Sequence, residues 1–175
     1  GMAQILLAYD TRAQRKVVLK RILPQFAVQP EFVKFFIHEG RLGQRLHHIN
    51  LVETIEAGRI NAVPYIALEY LEGTTAIDLL RRLARRRMPL PLGVAVRIVA
   101  DAARGLHHAH TAKDGEGKPL CIVHRDVTPH NLFICRDGRT KVLDFGIAKA
   151  ASQLHQTQTG TLKGKFSYLA PEQIR

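Results

Sequence analysis

The 175-residue sequence contains no tryptophan, two cysteines and 6% aromatic residues. Two cysteines are too few for a disulfide-rich secreted scaffold, and Cys121 and Cys135 lack the spacing of a metal-binding motif. We therefore expect both thiols to be reduced and packed, in a cytoplasmic setting. No apolar run approaches the roughly 18 residues that a membrane-spanning helix needs, and no secretory leader is recognisable. The sequence thus predicts no membrane segment in this chain.

Acidic residues are scarce as well, with 15 Asp and Glu against 26 Lys and Arg and a net charge of +11. A pI near 10.2 raises nucleic acid as a partner. The low aromatic content and the lack of a recognisable nucleic-acid module argue against that class, so no nucleic-acid partner is expected. The densest basic run, residues 81–87, is interpreted either as the solvated face of a helix or as a docking site for an acidic partner. The length and the 46% apolar content predict about one domain with its own core.

Three polar residues at fixed spacing lie in the middle of the second half. Asp126 precedes Asn131 by five positions, and Asn131 precedes Asp144 by thirteen. Two short apolar runs, 132–135 and 141–143, lie between the last two, and an Asp-Gly pair in their connection indicates a β-hairpin. Because a hairpin brings its ends together, we expect Asn131 and Asp144 to lie side by side.

A carboxylate beside an amide oxygen suits a hard cation. Asn131 and Asp144 could hold Mg²⁺ (or Mn²⁺) that takes its other ligands from water and from substrate phosphates. Asp126 then lies close enough to act as a base for a hydroxyl group. Each residue alone could equally be part of an ordinary polar loop, and the ordered set is what favours a catalytic site.

These residues resemble the catalytic motifs of protein kinases. Residues 124–131 read HRDVTPHN, residues 144–146 read DFG and residues 170–172 read APE. The resemblance is greatest to bacterial serine/threonine kinases of the eukaryotic (Hanks) type. It implies an α+β, two-lobe fold: residues 1–71 form a small antiparallel-sheet N-lobe with one main helix, ending in the hinge, and residues 72–175 form the first part of a mostly helical C-lobe.

The resemblance also implies roles for individual residues. Lys20 holds the α- and β-phosphates of ATP and is fixed by Glu39, Asp126 receives the proton of the substrate hydroxyl, and Asn131 and Asp144 hold the metal. Glu39 has a further argument, because a carboxylate within the apolar stripe of a helix needs a charged partner. The resemblance also implies an adenine pocket in which Leu68 is the gatekeeper. By position, the residues of this pocket are Ile5, Val18, Leu68, Glu69, Leu71 and Phe133. Plain core packing explains Ile5, Val18 and Phe133 equally well.

The sequence departs from the family pattern at two sites. The first strand and the first two glycines of the glycine-rich loop have no counterpart, and Ala3 stands where the last glycine is usual. Thr128 stands where serine/threonine kinases usually carry lysine, while Lys165 stands where they usually carry threonine. The two residues thus exchange places beside the catalytic acid, and Lys165 is predicted to meet the γ-phosphate. Pro129 still favours serine/threonine over tyrosine specificity.

The resemblance assigns residues 147–169 to an activation loop, in which Thr159 or Thr161 is the predicted regulatory phosphorylation site, with Arg125 as phosphate partner. It also implies C-terminal helices beyond Arg175, so we expect exposed apolar surface on the helix over 92–110 that the remaining C-lobe or a partner covers.

Two functions stay open: an ATP- and Mg²⁺-dependent protein serine/threonine kinase, with autophosphorylation and a protein substrate, or a kinase-like nucleotide- or partner-binding module without phosphotransfer.

Periodicity predicts the elements that carry these residues. Strands are expected over 2–9, 14–22, 51–56 and 63–71, with Gly58 at the turn between the last two. Helices are expected over 30–46, 74–87 and 92–110. The predicted inward faces are Phe32, Phe35, Leu42 and Leu46 on the first helix, and Val96, Val99, Ala103 and Leu106 on the third. Gly40 and Gly43 predict a loosely held first helix.

Overall fold

The structure is a computed structural model that describes residues 3–145 and Tyr168. Two sheets and four α-helices make up this part of the chain. The strands are β1 (Ala3–Asp10), β2 (Arg15–Ile22), β3 (Thr54–Ile60), β4 (Val63–Glu69), β5 (Gly73–Thr75), β6 (Leu132–Cys135) and β7 (Thr140–Val142). The helices are α1 (Pro24–Ala27), α2 (Pro30–Gly43), α3 (Ala76–Arg85) and α4 (Leu92–Thr111), with a 3₁₀ turn at Pro129–Asn131. None of the described helices is both long and apolar enough to cross a bilayer.

The first sheet is wholly antiparallel, in the order β1-β2-β4-β3, and α2 packs against it. Phe32 and Phe36 of α2 are buried against Ile22 and Ile66 of the sheet. The prediction that Phe35 faces inward is wrong. Phe36 faces the sheet instead, and Phe35 is half-buried. Glu39 does lie on the buried face, as its place in the apolar stripe predicted.

The two glycines of α2 allow the helix to approach the sheet closely. A Cβ on Gly43 would lie 2.3 Å from Thr54 Oγ1, and one on Gly40 would lie 2.7 Å from Ala57 Cβ. Both contacts are far inside van der Waals distance, so side chains at these positions would push α2 away from β3. The glycines therefore serve close packing, which differs from the loosely held helix that their low helix propensity predicted.

The connection between β3 and β4 corrects another expectation. Gly58 lies within β3 opposite Tyr65, and the turn is formed by Asn61 and Ala62, which have φ values of 49° and 66°. Two consecutive left-handed residues between paired strands fit a tight hairpin turn. An alanine in this conformation gives no sequence signal. The strand also begins at Thr54 rather than 51, and β4 ends at Glu69 rather than 71.

In the second half, α4 packs against β6 and β7 with a face that differs from the predicted one. Val96, Val99 and Ala103 are exposed, and the buried residues are Ile98, Asp101, Ala102, Gly105 and Ala109. The apolar pattern points to the wrong face because the buried face includes a charged residue, Asp101. Its carboxylate accepts hydrogen bonds from the Thr140 N–H at 3.1 Å and from the Arg97 and Arg104 side chains. Exposed apolar surface on this helix was expected, and it includes Leu92, Val96 and Val99.

The start of α3 also differs from its expected bounds. Residues Gly73–Thr75 pair with β6 as β5, so the helix begins at Ala76. Thr75 is the N-cap residue, and its Oγ1 accepts a hydrogen bond from the Asp78 N–H at 3.2 Å. The predicted hairpin is confirmed: β6 and β7 are antiparallel, and Gly138 has the φ of 83° that its turn requires.

The segment between α2 and β3 ties the first sheet to the second half of the chain. Leu46 and Leu51 are buried in the same core as α4 and Val142. The Val142 N–H donates to Asn50 O at 2.8 Å, and the Val52 N–H donates to Val142 O at 3.0 Å. This segment therefore packs with the residues that precede Asp144, although it lies within the predicted N-lobe.

Candidate active site

Lys20 lies between two carboxylates that come from distant parts of the sequence. Its Nζ is 2.6 Å from Glu39 Oε1 and 2.8 Å from Asp144 Oδ1. Burial alone would lower the pKa of Lys20, but the carboxylates of Asp144 and Glu39 outweigh burial and raise it well above its ordinary value. The ammonium is therefore charged at physiological pH. The Lys20–Glu39 pair was predicted from sequence, whereas the contact with Asp144 was not.

Asn131 and Asp126 are joined by hydrogen bonds that orient the amide. Asn131 Nδ2 donates to the Asp126 main-chain oxygen at 2.8 Å and to Asp126 Oδ2 at 2.7 Å. Only the nitrogen of the amide can donate, so Oδ1 of Asn131 must point away from Asp126. The Leu143 N–H donates to Asn131 O at 2.8 Å, which brings the residue before Asp144 against Asn131. The hairpin thus places Asn131 and Asp144 at the same end, as predicted.

His124 connects the segment around Asp126 to the segment around Asp144, a role that was not predicted from the sequence. Its ring is 1% exposed, Nε2 is 2.8 Å from Leu143 O, and Nδ1 accepts from the Asp126 N–H at 3.2 Å. An acceptor at Nδ1 and a carbonyl at Nε2 require the neutral tautomer protonated at Nε2. The ring also packs on Phe145, with centroids 5.0 Å apart. His124 therefore fixes the backbone of Asp126 relative to Asp144.

Two residues of the site have left-handed backbone conformations. Arg125 has a φ of 63° and Asp144 a φ of 44°. Neither is a glycine, and such conformations cost free energy that the surrounding contacts must offset. Their position on either side of the Asp126 and Asn131 pair supports a functional constraint on this backbone.

Three of the residues predicted to surround adenine lie on the sheet face that carries Lys20, namely Ile5, Val18 and Leu68. Ile5 pairs with Lys20 and Val18 pairs with Leu68 across the sheet, which puts Ile5 on the Lys20 face. Leu68 lines a cavity together with Lys20, Glu39, Asp144 and Phe145. The Glu69 N–H donates to Glu53 O at 3.1 Å, so of its two backbone groups only the carbonyl oxygen is left for the predicted adenine contact.

The remaining two predicted adenine-pocket residues are Leu71 and Phe133. Leu71 lies just beyond β4 and is half-buried, and Phe133 lies on β6 opposite Lys141. Their contacts with adenine stay a prediction.

An ion pair that the sequence did not predict links the end of β4 to β7. Lys141 Nζ lies 2.6 Å from Glu69 Oε1 and 3.1 Å from Leu51 O. The same Glu69 oxygen accepts from the Glu53 N–H at 2.8 Å. Both side chains are largely buried, so the pair fixes the predicted hinge against the strand that leads to Asp144. No sequence signal could have found a pair of residues 72 positions apart.

Thr128 follows Asp126 by two positions and is buried. It is 5% exposed, and its Oγ1 has no hydrogen-bond partner among the residues that the structure describes. An unsatisfied buried hydroxyl is uncommon in native proteins. The predicted residues Lys165, Thr159, Thr161 and Gly146, and the APE motif at 170–172, lie outside the described residues.

A protein-family model described as "Protein kinase domain" matches residues 1–175. The chain belongs to the protein kinase family. Among curated relatives it is 48% identical to tyrosine-protein kinase MasK of Myxococcus xanthus and 36% identical to serine/threonine-protein kinase PknB of Mycobacterium leprae. It is 35% identical to serine/threonine-protein kinase PrkC of Bacillus subtilis. These matches cover 100% of this chain but only 28%, 27% and 25% of the respective relatives.

Solved kinase domains confirm the fold. The Mycobacterium tuberculosis PknI kinase domain matches 83% of this chain and 54% of its own length, with a TM-score of 0.67 and 29% identity. A structure titled PpkA-294, apo form, covers 99% of this chain and 64% of its own length, with a TM-score of 0.79. At 22% identity, this second likeness supports the fold alone. The predicted partial two-lobe kinase fold is therefore correct.

Proposed function

We propose that this chain is the catalytic part of an ATP- and Mg²⁺-dependent protein kinase that phosphorylates serine or threonine hydroxyls of proteins. The observation that carries the proposal is the Lys20 ammonium held between Glu39 and Asp144. Glu39 and Asp144, which follow Lys20 by 19 and 124 positions along the chain, meet it in one charged cluster within a cleft. This arrangement suits a phosphate group, because a fixed cation contributes to phosphoryl transfer mainly through charge stabilisation.

Asp126 acts on the acceptor. Its carboxylate orients the substrate hydroxyl and takes its proton while the hydroxyl oxygen bonds to the γ-phosphorus and the bond from that phosphorus to the bridging oxygen breaks. ADP is the leaving group. The hydrogen bond from Asn131 to Asp126 Oδ2 holds this carboxylate in one orientation, and positioning of that kind is a major part of catalysis in this reaction class.

The donor set at the hairpin end fits a magnesium ion. The hydrogen bonds to Asp126 turn the Asn131 amide oxygen outward, and Asp144 supplies a carboxylate that is 42% exposed. Magnesium prefers one or two protein oxygens together with water and phosphate. When bound, the ion would neutralise charge on the β- and γ-phosphate oxygens.

The choice of acceptor is the finer part of the proposal. PknB and PrkC are named serine/threonine kinases, whereas MasK is named a tyrosine kinase. We assign serine/threonine specificity because Pro129, three residues after Asp126, favours it by resemblance to that family, and because PknB and PrkC are named serine/threonine kinases. Activation-loop autophosphorylation at Thr159 or Thr161 belongs to the same proposal. Loss of both threonines should lower activity, and unchanged activity would remove this regulatory assignment.

Intact-mass measurement after incubation with ATP and Mg²⁺ tests the proposal. We expect a phosphate adduct on the parent chain and none on Asp126→Asn, which keeps an oxygen that can accept the Asn131 hydrogen bond. Acid hydrolysis of the product should yield phosphoserine or phosphothreonine. Phosphotyrosine would reassign the specificity. Nucleotide binding without any adduct would instead support the alternative of a binding module without phosphotransfer.

A further inference from the structure

Five arginines cover the outer surface at the end of α3. This arginine surface consists of Arg81, Arg82, Arg85, Arg86 and Arg87, all exposed. Arg81 lies 3.2 Å from Asp78, and the other four form no ion pair with any residue in the described part of the chain. The run contains no lysine and no acidic residue. It is a dense uncompensated positive patch on a protein that is already strongly basic.

Helix stability does not account for this density. One or two basic residues in the last turn complement the helix dipole, with a gain of about 0.3–1 kcal/mol each. Pairs such as Arg81 with Arg85 and Arg82 with Arg86, however, are like charges at i,i+4 spacing, which destabilise a helix by about 0.2–0.5 kcal/mol per pair. These opposing terms nearly cancel, so helix stability gives no reason for five arginines in seven residues. The excess indicates a partner that compensates the charge.

The arginine surface lies close to the catalytic loop. The inner side of α3 packs against the 3₁₀ turn Pro129–Asn131 and against β6. The outer side of α3 is therefore about one helix diameter, roughly 10 Å, from that turn, which begins three residues after Asp126. An extended peptide covers about 3.3 Å per residue. A segment bound on the arginines could therefore present a hydroxyl to Asp126 from about four or more residues away.

Arginine chemistry narrows the class of partner. The guanidinium fork matches carboxylates and phosphates in bidentate geometry, so the partner is either an acidic peptide or a phosphate-bearing molecule. Membrane binding by a basic helix requires an exposed apolar face to insert, but the inner side of α3 faces the protein. Sites for single-stranded nucleic acid usually combine a basic groove with aromatic side chains on which bases stack, and residues 76–91 contain no aromatic residue.

We infer that the arginine surface docks an acidic segment of the protein substrate and thereby selects substrates with Asp- or Glu-rich sequence beside the phosphorylated hydroxyl. This inference rests on the proposed kinase function for its role in selection. The docking itself is a binding property, and it can be measured without phosphotransfer.

The test uses two fluorescent peptides that share one acceptor serine and differ in a flanking run of Glu or of Gln, four to eight residues (about 13–26 Å) from the serine. The surface variant is Arg82→Gln/Arg85→Gln/Arg86→Gln, because glutamine keeps helix propensity. The matched control is Arg12→Gln/Arg45→Gln/Arg59→Gln, which removes the same charge from exposed positions elsewhere. Fluorescence anisotropy gives Kd for each peptide, and steady-state kinetics give KM and kcat.

For the Glu peptide we expect the surface variant to raise Kd and KM about tenfold, with kcat unchanged, because three partly exposed charge pairs are lost. The Gln peptide should bind weakly to every variant, and added salt should remove the preference for Glu. Equal binding of both peptides by the parent chain would overturn the inference, as would an equal loss in the control variant. Arginine-dependent binding of RNA or phosphatidylserine vesicles without preference for the Glu peptide would overturn it in favour of those partners. If the Glu peptide binds through the arginine surface but neither peptide is phosphorylated, the docking inference holds and only the proposed kinase function is contradicted.

Discussion

At the scale of single residues, two carboxylates in different environments hold the Lys20 ammonium. Glu39 belongs to α2 and is buried, whereas Asp144 ends the hairpin and is 42% exposed. If Asp144 binds a metal as proposed, Glu39 remains as the group that fixes the ammonium. The strength of the Lys20–Glu39 contact therefore determines whether the cation stays in place for a phosphate.

Replacement of Glu39 by Gln tests this dependence. The amide keeps a hydrogen-bond acceptor but loses its charge, and a charge-assisted hydrogen bond contributes about 1.5–3 kcal/mol. We expect KM for ATP to rise and kcat/KM for ATP to fall about 10- to 100-fold. Glu116→Gln, in an exposed loop, is the control and should behave like the parent chain. An unchanged kcat/KM in Glu39→Gln would show that Asp144 alone positions Lys20.

The exchange of Thr128 and Lys165 leads to a second prediction. If Lys165 supplies the cation for the γ-phosphate, Lys165→Met should lower phosphotransfer about 10²–10³-fold, the usual loss for one electrostatic donor. Thr128→Lys should restore part of the rate in the Lys165→Thr background, although Thr128 is buried and a longer side chain there must displace neighbours. Full phosphotransfer by Lys165→Met, measured in the same steady-state assay, would contradict the exchange.

The site residues divide by the kind of sequence signal they carry. Glu39 was predictable because a carboxylate on an apolar helix face requires a partner. The contact of Asp144 with Lys20 and the ring contacts of His124 depend on how separate segments meet in space. The same holds for the contact between Lys141 and Glu69. A local sequence pattern cannot predict any of these contacts.

At the scale of elements, the position of α2 is set by backbone contact with the sheet. Gly43→Ala places a Cβ 2.3 Å from Thr54 Oγ1, a buried hydroxyl. We expect α2 to move outward, the Lys20–Glu39 pair to lengthen, and the free energy of unfolding to fall by about 1–3 kcal/mol. Denaturant unfolding measures the stability, and kcat/KM for ATP reports on the pair.

A compensating variant separates packing from other effects of Gly43→Ala. Thr54→Ala removes the clashing Oγ1, so the double variant Gly43→Ala/Thr54→Ala should regain activity relative to Gly43→Ala alone. Gly93→Ala adds a Cβ with nothing within 4 Å and should leave stability unchanged or slightly higher. If the double variant were no better than the single one, steric contact with Thr54 would not be the cause.

Elements with a local signal were predicted well, and those shaped by tertiary contacts were not. The hairpin was found because Asp137-Gly138 marks its turn, and β6 has the predicted bounds. The turn at Asn61-Ala62 lacks the glycine that usually marks such a turn, so the sequence favours Gly58, which lies within β3. On α4, the buried Asp101 was excluded from an apolar stripe, although it anchors the Thr140 N–H.

At the scale of the whole molecule, the segment over 46–53 joins the two halves more closely than the sequence suggests. His48 at its centre stacks on His108 of α4, with ring centroids 5.0 Å apart. Its Nδ1 accepts a hydrogen bond from the Asn50 N–H at 3.1 Å. Protonation of His48 at Nδ1 would break this bond and place a cation beside His108 and Lys141.

This junction predicts a pH dependence of stability. Partial burial first, and then the charges of His108 and Lys141, lower the pKa of His48 below its ordinary 6.5. The unfolded chain therefore takes up a proton near pH 6.5 that the folded protein takes up only at lower pH, so stability falls as the pH decreases through this window. We expect Tm to drop between about pH 7.5 and about pH 5.5, and His48→Asn, which keeps an acceptor for the Asn50 N–H, to flatten that slope. His107→Asn, at an exposed position, is the control and should keep the parent slope. The same slope in His48→Asn as in the parent chain would assign the acid sensitivity to other groups.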